Sequence, residues 1–152
     1  MMNSKIQLLK NWAKNSPIIF VLLLVSGLGF LDAGYLTVEH YRAVPVPCSI
    51  TEGCEKVLGS EYATVYGFPV ALLGALYYAS LFFIIVASAK IHSEKLYGYI
   101  LGATSISFMV SMWLLYIQVF ILEALCVYCI VSAILSTILF ACGIVMVVSK
   151  HR

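Results

Sequence analysis

Two pairs of cysteines are the residues with the clearest capacity for chemistry. Cys126 and Cys129 form the segment Cys-Val-Tyr-Cys, and Cys48 and Cys54 stand earlier in the chain with five residues between them. On a helix, positions three apart share a face, so the two sulfurs of a Cys-x-x-Cys pair can meet or bond. At a helix N-terminus, unpaired N–H groups and the helix dipole favour the thiolate, which is the reactive form. The two pairs could therefore relay electrons through a mixed disulfide.

Two other interpretations of these four cysteines stay open from the residues alone. Cys48 and Cys54 could form a simple loop disulfide, while Cys126 and Cys129 only pack against their neighbours. Alternatively, the four thiolates could hold a metal ion with His40 close by, and the protein would then bind or transport metal. The five residues between the loop cysteines exceed the usual metal-site spacing of about two to four.

The fifth cysteine lies too far along the chain to join either pair. Cys142 follows Cys129 by 13 residues, which is about 20 Å along a helix. A disulfide needs its two Cα atoms within about 7 Å of each other. We interpret Cys142 as a small apolar packing residue.

Four apolar stretches must position these cysteines. The chain is 62% hydrophobic and only 11% charged, too little charge for the surface of a soluble domain of this length. Each stretch reaches the length of about 20 residues that spans a bilayer core, and backbone groups in hydrocarbon must be satisfied within a helix. The stretches are 17–37, 68–89, 98–122 and 126–149. The sequence predicts an all-α integral membrane protein, a four-transmembrane-helix bundle forming a single domain over 1–152.

Positive charge is distributed unevenly over the segments between the four stretches. Seven of the nine Lys and Arg residues fall in the tail 1–16, the loop 90–97 and the tail 150–152. The long outer loop 38–67 holds the other two, and the turn 123–125 holds none. Because cytoplasmic segments carry the excess of Lys and Arg, we predict a multi-pass protein of the inner (cytoplasmic) membrane with both termini in the cytoplasm. Both cysteine pairs then lie on the extracytoplasmic side, where disulfides persist.

Several other interpretations are disfavoured by the sequence. Lys5, Lys10 and Lys14 precede the first apolar stretch as in a signal peptide, but the stretch continues past Gly29 without a clear cleavage site, so we predict a retained anchor. The net charge of +2 and the absence of a basic stripe disfavour nucleic-acid binding. Phosphate-loop, GxSxG and HExxH motifs are also absent.

The motifs occur in an order that resembles one known family. They are Leu-Asp-Ala-Gly-Tyr-Leu-Thr at 31–37, the pair Cys48 and Cys54, Ser60, Gly-Phe-Pro-Val-Ala-Leu-Leu-Gly at 67–74, and Cys-Val-Tyr-Cys at 126–129. Together they resemble the bacterial and archaeal members of the vitamin K epoxide reductase family, which are four-helix membrane thiol oxidoreductases. A second family of four-helix disulfide-forming quinone reductases has its Cys-x-x-Cys in the first outer loop, the reverse of the order here.

The resemblance implies a role for each cysteine. A thioredoxin-like (DsbA-like) protein outside the cytoplasm would deliver electrons to Cys48 and Cys54, and Cys54 would attack Cys126. Cys129 would be left as the thiolate that faces a lipid quinone, ubiquinone or menaquinone, and would pass the electrons to it. The partner would gain a disulfide and the quinol would leave through the membrane lipids. Because the chain ends at Arg152, we expect the partner to be a separate protein.

The resemblance also implies a quinone pocket. It places Ser60 on a short horizontal helix of the outer loop that caps the pocket, although Ser60 could equally be an ordinary helix N-cap. The other predicted pocket residues are Tyr77, Gln118, Leu122 and Ala133. Gln118 could instead hydrogen-bond between helices. Val70 and Ala133 stand where members that reduce vitamin K often carry Asn and Tyr, which favours a bacterial quinone held by apolar contacts.

One carboxylate falls inside the first apolar stretch. Asp32 lies in its outer third, where a charge is costly unless it faces the bundle or water. The alternative is that its side chain reaches outward to the membrane interface. The sequence leaves both possibilities open.

Overall fold

The computed structural model describes residues 2–42, 53–91 and 94–151, and the side chains of 17–42, 53–90 and 95–149. Its α-helices are α1 (Met2–Arg42), α2 (Gly53–Leu58), α3 (Val70–Ile91), α4 (Glu94–Tyr116) and α5 (Val127–His151). A 3-10 helix at Glu61–Ala63 and two short strands, β1 (Thr64–Val65) and β2 (Phe68–Pro69), lie between α2 and α3, and a π-helical segment, Ile117–Ile121, extends α4. Cys48 lies outside the described residues.

Four of these helices are long and apolar enough to cross a membrane. The candidate spans are Pro17–Arg42, Val70–Lys90, Lys95–Ile121 and Val127–Ser149. Large apolar side chains also cover the outside of the bundle, among them Phe20, Leu31, Phe83, Met109 and Trp113. A surface of this kind suits hydrocarbon rather than water. The prediction of an all-α membrane bundle with four transmembrane helices is confirmed.

The bundle is held together by small and apolar residues at helical spacing. α1 packs most extensively against α3 and also against α5, and α4 packs against α5. On α1 the buried face follows Leu22, Ser26, Gly29, Ala33 and Leu36, which are three or four residues apart as one helix face requires. A Cβ on Gly29 would collide with the ring of Tyr78 on α3. Glycine there allows the two helices to approach closely.

The first helix continues past the predicted boundary at Thr37 through Arg42. Two local interactions support the additional turn. The Thr37 hydroxyl donates to the Ala33 carbonyl at 2.7 Å, and Arg42 lies 4.0 Å from the Glu39 carboxylate. No Pro or Gly interrupts 38–42, so nothing in the sequence forces the helix to end at the edge of the apolar stretch.

A small β-hairpin, absent from the prediction, leads from the outer segment into α3. β1 and β2 are antiparallel, with Val65 paired to Phe68. The two turn residues, Tyr66 and Gly67, both have positive φ, 52° and 83°, as the favoured two-residue hairpin turn requires. Pro69, expected in the first turn of the second span, belongs to β2.

Candidate active site

The outer segment brings one cysteine of the loop pair against the start of α5. Cys54, in α2, and Cys126 are both fully buried and belong to one cluster with Val57. The backbones that precede the two cysteines are in contact. A Cβ on Gly53 would lie 2.5 Å from the Leu125 carbonyl oxygen and 2.9 Å from the Leu125 nitrogen. Only glycine permits this approach without a backbone shift.

The cysteines differ in their bonding. Cys54 is disulfide-bonded, and its predicted partner, Cys48, lies outside the described residues. Cys126, Cys129 and Cys142 are free thiols. Cys142 packs against the hydrophobic core, in a different cluster from Cys54, Cys126 and Cys129. The structure therefore brings together Cys54, Cys126 and Cys129.

The end of α4 holds the start of α5 in place. The helix changes to π geometry over Ile117–Ile121, and Glu123 adopts a φ of 47°, so the chain turns sharply before Cys126. Gln118 is buried, and its Oε1 accepts a hydrogen bond from the Cys126 N–H at 3.1 Å. Of the two roles considered for Gln118, interhelical bonding is thus present, and the residue also lines the cavity described below.

Cys126 lies one residue before the span of α5. Its surroundings favour the thiolate form of its side chain. A hydrogen bond from the Cys129 thiol lowers the pKa of Cys126 from 9.0 to about 7, against the opposing effect of burial. The backbone N–H groups of Cys129 and Tyr128 lower the pKa further, and the Asp32 carboxylate raises it. These N–H groups belong to the first turn of α5, as expected for a thiol at a helix N-terminus.

Cys126 and Cys129 are called the inner cysteine pair below. A cavity of about 790 Å³ lies between the helices beside this pair. Residues of α1, α3, α4, α5 and the outer segment 57–65 line it, and most of them are apolar. Of the predicted pocket residues, Ser60, Tyr77, Gln118 and Leu122 line this cavity, together with Cys129. An apolar cavity of this size with a few polar groups is typical of a site for a small lipid-soluble molecule.

Ala133 is a different case, because it is not among the described residues that line the cavity. The face of α5 toward the cavity carries Cys129, Ser132 and Ser136, at spacings of three and four residues. Ala133 is rotated by about 100° from Ser132 and is buried. Ser132 therefore lines the cavity at the position where the sequence predicted Ala133.

Ser60 does not act as a side-chain N-cap. Its backbone precedes the 3-10 helix, but the hydroxyl makes no capping bond there. Instead, it donates to the Val57 carbonyl at 2.7 Å, which satisfies an acceptor at the end of α2. This hydrogen bond links the end of α2 to the segment 60–65, which lines the cavity.

A cluster of hydroxyl groups in the cavity wall was not predicted. The Tyr78 hydroxyl lies 3.2 Å from both the Ser132 and Ser136 hydroxyls. The Ser111 hydroxyl donates to Ser136 at 3.0 Å, and Ser107 lies 3.1 Å from the same oxygen. The sequence did contain a signal for this cluster. Ser107 and Ser111 are four residues apart, as are Ser132 and Ser136, and residues four apart lie on one face of a helix. The cluster links α3, α4 and α5.

Within the described part of the chain, two cavity-lining oxygens have no hydrogen-bond partner. They are Asp32 Oδ2 and Tyr77 Oη, and both atoms are buried. Asp32 therefore faces the inside of the bundle rather than the membrane interface. Buried polar atoms are rarely left unpaired, so a molecule with hydrogen-bonding oxygens fits this cavity. A quinone head group meets that description, because its carbonyl oxygens can accept from the Tyr77 hydroxyl and, once it is reduced, its hydroxyls can donate to the Asp32 carboxylate.

Metal ligands are not assembled in the described part of the chain. Residues 17–42, 53–90 and 95–149 contain no group of three or more His, Cys, Asp and Glu side chains that could hold a metal ion. His40, considered as a ligand beside the cysteines, instead lines the cavity.

One known protein family matches most of the chain. The model of the vitamin K epoxide reductase family matches residues 20–144, which include both cysteine pairs and nearly the whole bundle. The chain belongs to the vitamin K epoxide reductase family. It is accordingly a multi-pass membrane thiol oxidoreductase. Members of this family in general use a quinone as electron acceptor and work with thioredoxin-like partners.

Proposed function

We propose that this member of the vitamin K epoxide reductase family oxidises the dithiol of a separate thioredoxin-like protein and reduces a membrane quinone, ubiquinone or menaquinone. The result would be disulfide formation outside the cytoplasm. The observation that carries the proposal is the position of Cys126, which shares one buried cluster with Cys54 while its pair, Cys129, lines the cavity. Electrons can therefore enter on one side of the pair and leave on the other.

The electron path consists of thiol–disulfide exchanges followed by one oxidation. The partner dithiol reduces the disulfide of Cys48 and Cys54, and the partner becomes a disulfide. The Cys54 thiolate then attacks the disulfide at Cys126 and releases Cys129, and Cys48 resolves the mixed disulfide. The reduced pair of Cys126 and Cys129 returns to a disulfide by losing two electrons and two protons. A quinone bound in the cavity supplies the two-electron acceptor.

The charge distribution supports an orientation for this reaction. Seven of the nine Lys and Arg residues lie in the segments that flank or connect the helices on the side away from the cysteines, and positively charged segments stay in the cytoplasm. The protein would then lie in the inner membrane with both termini inside. The cysteine pairs would meet their partner on the extracytoplasmic side.

The test is turnover in liposomes that contain the purified protein and a quinone, with a reduced thioredoxin-like protein added outside. We expect Cys129→Ala to abolish the coupling of partner oxidation to quinol formation. Cys142→Ala is the matched control, because this thiol packs in the core away from the relay, and it should turn over like the wild type. Quinol formation by Cys129→Ala at the wild-type rate would contradict the proposed electron path.

A further inference from the structure

Asp32 is a half-buried carboxyl group that the electron path leaves without a function. It lies in α1 within the membrane-spanning part, where a carboxylate is costly. Its Oδ2 is buried with no hydrogen-bond partner among the residues that the structure describes, whereas Glu39, on the same helix, lies near Arg42. Asp32 lines the same cavity as Cys129. A costly group in such a position indicates a function in the cavity.

The charge of Asp32 acts on the inner cysteine pair. Its carboxylate interacts electrostatically with both Cys126 and Cys129. The other ionisable groups around the cavity and the pair are Tyr35 and His40 on α1, Glu61 and Tyr62 on the outer segment, Tyr77 and Tyr78 on α3, and Tyr128 on α5. Among the described lining residues there is no Lys or Arg beside Asp32.

The chemistry of the proposed function requires a group that moves protons. Oxidation of two thiols to a disulfide releases two protons, and reduction of a quinone to a quinol consumes two. Most of the cavity wall is apolar, and a proton does not cross such a surface without a carrier. A carboxylate beside a thiol can take its proton and pass it on, as in general acid–base catalysis.

We propose that Asp32 takes the proton of the Cys129 thiol and transfers it to an oxygen of the quinone, an inference that rests on the function proposed above. The Cys129 S–H bond breaks, its proton goes to the Asp32 carboxylate, and its electron pair stays on sulfur. The S–S bond to Cys126 then forms while two electrons pass to the quinone. Asp32 gives up the proton and returns to the carboxylate. The second proton that the quinol needs comes from water. It balances the proton that Cys126 released to water when it became a thiolate.

The experiment compares the wild type, Asp32→Asn, Asp32→Glu and Glu39→Gln in two half-reactions. The first is reduction of the oxidised protein by the reduced partner without quinone, and the second is oxidation of the reduced protein by quinone. We expect Asp32→Asn to be reduced by the partner at the wild-type rate. Its oxidation by quinone should be slower by about 10²-fold or more. Asp32→Glu should recover part of the rate, because it restores a carboxylate, and Glu39→Gln should behave as the wild type.

A measurement without quinone checks that Asp32 acts on the pair directly. In a Cys142→Ala background, Asp32→Asn should shift the thiolate absorbance of the reduced protein to lower pH, because a negative charge that opposes the Cys126 thiolate is gone. The inference is overturned if Asp32→Asn reduces quinone like the wild type. It is also overturned if both half-reactions fail together in Asp32→Asn and Asp32→Glu, which is the result of a structural role. A wild type that transfers thiol electrons but never reduces quinone would instead remove the proposed function.

Discussion

At the residue scale, the packing of Cys54 against Cys126 depends on a glycine. The backbones of Gly53 and Leu125 are so close that a side chain on residue 53 would collide with backbone atoms, and each of these residues precedes a relay cysteine. Backbone atoms cannot turn aside as a flexible side chain can. A methyl group at residue 53 must therefore move α2 away from the start of α5.

We predict that Gly53→Ala slows electron transfer from the partner to the inner pair by about tenfold or more, since misplacement of reacting groups by about 1 Å can cost far more. Stopped-flow measurement of inner-pair reduction by the reduced partner checks this. Gly102→Ala is the control, because a Cβ there meets nothing within 4 Å. An unchanged rate for Gly53→Ala would mean that this contact does not set the geometry of exchange.

A second residue-scale prediction concerns the pH dependence of the reduced pair. The pKa of Cys126 is lowered to about 7 chiefly by a hydrogen bond from the Cys129 thiol. The reactive thiolate is therefore present above about pH 7 and is lost as the pH falls below it. In a Cys142→Ala background, ultraviolet absorbance should show the first thiolate forming near pH 7. Cys129→Ala should raise this midpoint toward 9, and equal midpoints in the two proteins would contradict the assigned hydrogen bond.

Residue-scale features were predictable only where they depend on local geometry. The i, i+3 pairing of Cys126 and Cys129 and its place at a helix start follow from the sequence alone. The contact of Gly53 with Leu125 does not, because it joins segments far apart in the chain. The hydroxyl cluster around Ser136 was missed for a related reason. Serine is common in membrane helices, and only packing decides whether its hydroxyl meets another.

At the element scale, the hairpin of β1 and β2 closes the outer side of the cavity, which Thr64 and Val65 line. Its turn places a tyrosine and a glycine at positive φ, and a conformation of this kind costs an L-residue about 1 kcal/mol. Tyr66 is 98% exposed, so packing does not offset this cost.

We predict opposite effects for two substitutions in this turn. Gly67→Ala should destabilise the hairpin by about 1 kcal/mol, while Tyr66→Asn should stabilise it by a few tenths, because Asn tolerates left-handed backbone. Hydrogen exchange of the amides in 64–69 measures both, with faster exchange expected for the first variant and slower for the second. A shift in the same direction for both would contradict the turn geometry.

Gln118 joins two other elements, the π-helical end of α4 and the start of α5. Gln118→Leu would leave the buried Cys126 N–H without its acceptor, at a cost of about 1–3 kcal/mol. We predict faster hydrogen exchange in 124–128 and a lower thermal midpoint. Gln118→Glu keeps an oxygen acceptor. The amides of 124–128 should therefore exchange more slowly in Gln118→Glu than in Gln118→Leu. Equal protection of this segment in the wild type and Gln118→Leu would argue against the bond.

The elements themselves were predicted with uneven success, for physical reasons. The four long helices follow from hydropathy, since hydrocarbon imposes the helical state on the apolar stretches. Hydropathy says less about where a helix ends, and α1 continues into polar sequence up to Arg42. The hairpin escaped prediction because Tyr66-Gly67 is not one of the usual turn pairs and each strand has only two residues.

At the scale of the whole molecule, orientation decides where the partner can dock. We predict that Tyr66→Cys, in a variant with the native cysteines replaced, reacts with an impermeant maleimide in intact cells. Lys95→Cys, exposed at the start of the third span, should react only after the membrane is permeabilised. The reverse pattern would place the cysteine pairs in the cytoplasm, where a relay that forms disulfides is not expected.

The account as a whole depends on direct exchange between Cys54 and Cys126. The double variant Cys48→Ser, Cys129→Ser removes both resolving thiols and leaves these two in the buried cluster they share. On mild oxidation we predict a disulfide that joins the peptides containing Cys54 and Cys126, identified by mass spectrometry, with none between Cys54 and Cys142. If no such bond forms while the wild type still oxidises its partner, electrons take another route and the relay is wrong.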